Sequence, residues 1–348
     1  MISKRLTRAL LAAPLAFTLA LTACGGSGSD DRTGDSDGDA AGTGSSSASF
    51  PVTINHAFGG TTIQTAPTRV VTWGWGSADA AIALGVVPVA IPFQSYGGDK
   101  NGVLPWIAQK LTALGAATPT VLPETQEPPV EEIAAANPDL ILAPYSGIDK
   151  EQYDLLSAIA PTVAYPKEAW ATPWRDVVTT VGTALGKKAE ADALLADFDK
   201  LLAQKAGEHP ELAGKTVAMV WDSAGTFYVY KEADARVEFA LDLGMKGAAS
   251  VNELGTAESP FYFTLSYEKL DKLTSDVLVS FATTQAEQDT FLASKSAKTM
   301  PQVQNGTVAS LVGAEFIASV SPPTALSVTW GLDKYVAALA AAAAKVGA

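Results

Sequence analysis

The chain has 348 residues, 47% of them hydrophobic, and 24 Lys and Arg against 37 Asp and Glu give it a formal charge of -13. So acidic a chain has no basic surface to neutralise phosphates, which argues against nucleic acid as a partner. A single Cys and two His exclude an intrachain disulfide and a Cys/His zinc site, and the length suits roughly two domains.

Lys4, Arg5 and Arg8 form a cationic start, and residues 9–21 are an apolar stretch of signal-peptide rather than membrane-spanning length. It ends in Leu21-Thr22-Ala23-Cys24, which resembles the bacterial lipobox, whose Cys is lipidated and becomes the new N-terminus. The only Cys of the chain stands where that chemistry needs it. Residues 1–23 are therefore expected to be a lipoprotein signal peptide, and the mature chain then carries 21 basic and 37 acidic side chains, or -16. Residues 25–49 are nearly all Gly, Ser, Asp, Thr and Ala, with nothing large to bury, so 24–49 is expected to be the lipidated Cys and a disordered linker. A linker of that kind reaches about 25–30 Å. The body is expected to be extracytoplasmic, held to the cell membrane by its lipid alone, because no later apolar run reaches spanning length.

From residue 50 onward, β-branched or apolar runs at 69–73, 87–91, 140–143 and 162–165 alternate with helical patterns, as in βα units on mostly parallel strands. A short helix is expected over 77–84, with Ser77 as its N-cap and Gly85 as its stop. Another should end before Asn137-Pro138, where a strand begins. Thr172-Pro173 reads as a cap and first helical residue, with that helix running to Leu185-Gly186. Leu194, Leu195, Phe198, Leu201 and Leu202 then recur at one-face spacing until Gly207 and Pro210, the longest clean helix of the chain. Strand runs resume at 216–221, 227–230, 276–281 and 308–312. The expected fold is α/β: two Rossmann-like lobes, 50–170 and 211–348, bridged by a single long α-helix within 171–210, with a cleft where the strand ends face each other.

Ligands of open α/β sheets sit beyond the carboxyl ends of the strands. Those loops carry Trp73-Gly74-Trp75-Gly76-Ser77, then Phe93 and Tyr96, then Tyr145-Ser146, then Trp170 and Trp174; the second lobe adds Trp221, Tyr228, Tyr230, Arg236, Phe261, Tyr262, Phe281 and Trp330. An aromatic cleft with few charges suits a bulky amphipathic ligand. The ligand-binding candidates are Trp73, Trp75, Tyr96, Tyr145, Trp221, Tyr228, Arg236 and Trp330. Catalytic signatures are missing: His56 and His209 have no nucleophile and acid in a familiar arrangement, and the third Gly of a dinucleotide motif is replaced by Asp79. Nor is there a GxSxG elbow at the strand end, since Gly76-Ser77 is followed by Ala78-Asp79.

With these pieces in order, the chain resembles the iron-siderophore substrate-binding lipoproteins of ABC importers, the ferrichrome and cobalamin type. The resemblance rests on His56-Ala57-Phe58-Gly59 before Pro67-Thr68-Arg69-Val70-Val71, on Ala83-Leu84-Gly85-Val86, and on Glu131-Glu132-Ile133 leading to Asn137-Pro138-Asp139-Leu140-Ile141. Pro173-Trp174-Arg175, Ala184-Leu185-Gly186-Lys187 and Ser321-Pro322-Pro323-Thr324 complete it. It implies the class III periplasmic binding protein fold, small hinge motion, handover to a membrane permease and no catalysis. It also implies one docking carboxylate per lobe, Glu131 (with Glu132 as rival) and Glu268.

A ferric tris-catecholate carries about three negative charges and calls for a basic pocket, whereas these loops offer essentially Arg236. A near-neutral or cationic ferric hydroxamate fits better. Iron is expected to arrive chelated by the siderophore, with no metal ligands and no cofactor from the protein, which is expected to be a monomer. The alternatives are a cobalamin or haem binder of the same fold and, from another class, an anchored hydrolase or an adhesion module.

Overall fold

The computed structural model describes residues 50–347. The signal peptide, Cys24 and the linker lie outside the described residues. An antiparallel hairpin, β1 (Val52–His56) with β2 (Gly59–Ile63), opens the body. Then come β3 (Val70–Thr72), α1 (Ser77–Ala83), β4 (Ala90–Ile91), α2 (Pro105–Ala113), β5 (Thr120–Val121), α3 (Val130–Ala135), β6 (Leu140–Leu142), α4 (Lys150–Ile159) and β7 (Thr162–Val163). Their five strands form one parallel sheet in the order β5-β4-β3-β6-β7. Strands covered on both faces read as unbroken apolar runs, and all three residues of β6 are buried.

Two helices, α5 (Trp174–Ala184) and α6 (Lys188–Glu208), lead to the second lobe. It contains β8 (Thr216–Ser223), β9 (Thr226–Tyr230), α7 (Ala235–Leu241), β10 (Lys246–Gly247), α8 (Ala249–Leu254), β11 (Tyr262–Thr264), β12 (Val277–Ala282), α9 (Gln285–Ala293), α10 (Pro301–Asn305), β13 (Val308–Val312), α11 (Ala314–Val320) and α12 (Ser327–Ala343). The sheet order is β11-β9-β8-β12-β13, with β10 also on β8. The strands β8, β12 and β13 are parallel, while β9 and β11 are antiparallel to their neighbours.

The two-lobe α/β expectation is met, with local corrections. Gly186, with a left-handed φ of 69°, ends α5 where expected and separates it from the 21-residue α6, the long bridging helix. Gly76, not Ser77, holds the N-cap of α1; the φ of 74° there suits glycine, and Ser77 is the first helical residue. Pro173 likewise takes the cap of α5, and the Thr172 hydroxyl donates instead to the Pro144 carbonyl at 2.6 Å.

One apolar core passes through both sheets: Val70 and Leu140 of the first lobe, Val177, Val181 and Phe198 of the linking pair, and Val217, Val279 and Leu339 of the second belong to a single cluster. Arg175 reinforces the join by pairing with Asp199 of α6 at 3.0 Å and with Asp242 at the end of α7 at 2.9 Å. Among the described residues no helix is long and apolar enough to cross a membrane.

Candidate functional site

The turn after β3 brings two of the candidate aromatics forward. Gly74 has φ 83°, and a Cβ there would lie 2.2 Å from the Tyr145 carbonyl oxygen. Only glycine permits so close an approach, which lets the Trp75 amide donate to that carbonyl at 3.0 Å. The Trp75 indole then reaches the other lobe, donating from Nε1 to the Pro322 carbonyl at 3.2 Å. Trp73 is largely buried, and with Trp75, Phe93, Gln94 and Gln126 it lines a cavity of about 360 Å³ at the carboxyl ends of the first sheet.

A second cavity, of about 210 Å³, lies between the lobes, with Tyr145 on one side and Asp234, Arg236, Phe261 and Tyr262 on the other. Arg236 places its guanidinium 4.0 Å above the Tyr230 ring and its Nε 2.9 Å from Asp234 Oδ1. Asp234 is 6% exposed and also caps α7 through the Arg236 amide. Burial raises the Asp234 carboxyl, with Arg236 opposing that shift, and burial raises the Tyr145 and Tyr230 hydroxyls as well. Glu238 on the same wall is raised by burial and by nearby Asp242. The cleft thus carries one cation with an acid already against it.

The other candidates separate into three groups. Tyr96 of the first lobe faces Trp221 of the second with ring centroids 6.2 Å apart, and Trp221 in turn touches Phe281. Burial pushes the Tyr96 hydroxyl up to about 12. Tyr228 lies edge-on to Tyr262 and so backs the cavity wall instead of lining it. Trp330 stands apart: it sits on α12 against Trp106 of α2, in a surface depression that shares no residue with either cavity. As a helix residue it is not placed by the strand-end rule that selected it.

Trp170, absent from the candidate set, lines both cavities. It is 51% exposed, has φ 59°, and meets Tyr145 edge-on at 5.7 Å. A bulky residue in the left-handed region is strained, and such strain clusters at ligand-binding and active sites. The two histidines lie elsewhere. His56 is buried in the first hairpin, 2.9 Å from the Thr61 hydroxyl, and His209 pairs with Glu211. Glu131 and Glu132 are exposed in the first turn of α3, and Glu268 is exposed in the short helical turn Tyr267–Lys272. Among the described residues no group of His, Cys, Asp and Glu could hold a metal ion.

An aromatic cleft between two sheet-based lobes, joined by helices and by a common core, defines a protein built to enclose a solute. The chain belongs to the periplasmic binding protein family, whose model matches residues 70–314; this is a family of substrate-binding proteins. It is similar to the probable siderophore-binding lipoprotein YfiY of Bacillus subtilis (strain 168), 33% identical over 234 residues that cover 66% of this chain and 68% of that protein. Among solved structures it is similar to the iron uptake ABC transporter substrate-binding protein PiaA from Streptococcus pneumoniae TIGR4, with TM-score 0.74, 31% identity and coverage of 84% of this chain and 100% of that one. PiaA in complex with ferrichrome gives TM-score 0.77 at 32% identity, covering 84% and 99%.

Proposed function

We propose that the chain captures a ferric siderophore of hydroxamate type outside the cytoplasm and delivers it to an ABC permease. The observation that carries this reading is the charge of the aromatic cleft, where Arg236 is matched by Asp234 at 2.9 Å and Glu238 adds a further acid. Such a wall suits a near-neutral complex better than one carrying three negative charges. The family supports capture and handover, and the ferrichrome complex of PiaA supports the hydroxamate class. Iron would remain chelated by its siderophore. Glu131 and Glu268, exposed on separate lobes, would meet the two permease subunits, and lipid on Cys24 would tether the monomer to the membrane.

Titration of tryptophan fluorescence with ferrichrome and with ferric enterobactin tests the reading. Saturable quenching by ferrichrome, at least tenfold tighter than by the anionic catecholate, is expected. The reverse order would remove the charge argument.

A further inference from the structure

Asp79 has no part in the cleft as described, yet it is the most enclosed acid near it. It lies on α1, is 1% exposed, and accepts at Oδ1 from two distant partners: Trp106 Nε1 of α2 at 2.5 Å and the Thr324 hydroxyl of the second lobe. Burying a carboxylate is costly, so an unmatched one this deep calls for a use. Thr324 belongs to the turn between α11 and α12, which also supplies the Pro322 carbonyl that receives the Trp75 indole. Further bonds hold the turn on its own lobe: the Thr324 amide donates to Ser327 Oγ at 2.7 Å, and the Ser327 hydroxyl donates to the Ser319 carbonyl at 2.6 Å.

We propose that Asp79 is a positioning residue for the cleft: by holding Thr324 it docks the 321–324 turn on the first lobe, and the docked turn orients the Trp75 indole through the Pro322 carbonyl. The inference rests on the cleft being the ligand site.

The device has a proton signature. Burial raises the carboxyl to about 6, with the Thr324 and Trp106 bonds opposing the shift. No other charge contributes to it, although Lys110 of α2, Arg175 and Asp176 of α5, Glu315 of α11, and Asp99 and Lys100 of the loop before α2 all belong to elements packed nearby. A donor bond to a carboxylate favours its ionised form, so the Thr324 hydroxyl holds the turn most firmly while Asp79 carries its charge. The docked turn is therefore held more firmly at pH 7.5 than at pH 5.

The test reads the Trp75 indole N–H resonance without ligand, assigned through Trp75→Phe, together with ferrichrome affinity. In the wild-type chain the resonance should shift with a midpoint near pH 6, and affinity should fall about fivefold between pH 7.5 and pH 5. Asp79→Asn, which keeps an acceptor and cannot ionise there, should make both flat. Thr324→Val should displace the resonance and weaken ferrichrome about tenfold, while Thr324→Ser stays within twofold of wild type. A wild-type resonance that ignores pH, or one that Thr324→Val leaves in place, overturns the proposal. A wild-type chain that does not bind ferrichrome would sink the ligand reading alone, because the ligand-free resonance still decides the role of Asp79.

Discussion

Trp170 sits against Gly147 so closely that a Cβ on residue 147 would come within 2.2 Å of the indole Nε1. Gly147 itself is outside the left-handed region, so its backbone accepts alanine and only the indole must yield. Gly147→Ala is expected to push Trp170 off its place between the two cavities with little effect on folding, since the ring is 51% exposed. Ferrichrome binding should weaken by about 1–3 kcal/mol, matching Trp170→Ala. Calorimetric titration of both variants checks this, and unchanged affinity in the pair would take Trp170 out of the site.

Arg236 is the partner of a nearly enclosed acid. Arg236→Ala should leave the Asp234 carboxylate buried with its charge uncompensated and destabilise the fold by about 3 kcal/mol in urea unfolding at pH 7. Adding Asp234→Asn should recover most of that loss, because Asn still caps α7, without restoring ligand affinity. An Arg236→Ala chain as stable as wild type would mean that Asp234 is already neutral in the fold.

The stability of the fold should carry the mark of Asp79. Its pKa of about 6 lies above the ordinary aspartate value, so the proton is held more tightly when folded. Stability from this group is therefore fully present below about pH 4 and is lost as pH rises through about 6. Asp79→Asn removes the dependence, so wild type should gain about 2 kcal/mol relative to it between pH 7.5 and pH 4.5. Parallel urea midpoints at the two pH values would expose a flat difference, which would contradict the shift.

The docking role proposed for Glu131 and Glu268 should separate from ligand binding. Glu131→Ala combined with Glu268→Ala is expected to keep ferrichrome affinity within about twofold, because rim charges govern encounter and orientation, while cellular uptake falls strongly. Normal uptake by the double variant would argue against these acids as the docking pair.

Trp73, Trp75 and Tyr145 follow the parallel strands β3 and β6, whose ends can be read from apolar runs, whereas Arg236 follows β9, which runs antiparallel to β8. Trp170 was read on the loop after the fourth strand but not chosen, since its left-handed backbone and its contact with Gly147 arise only in the tertiary packing. Trp330 was misplaced by the strand-end rule, as it belongs to a helix face packed on Trp106. Asp79 entered the sequence reading only as a failed glycine of a nucleotide motif. Its partners lie 27 and 245 residues away, a separation at which no local pattern operates.

The apolar cluster shared by the two sheets sets a limit on how such a receptor can be re-engineered or diversified. Transplanting residues 50–170 from a relative would cut through the side chains that Val70 and Leu140 share with Val177, Phe198 and Val217, so specificity cannot be exchanged lobe by lobe as a cassette. New solutes are instead accommodated by rewriting individual loop residues on an unchanged frame.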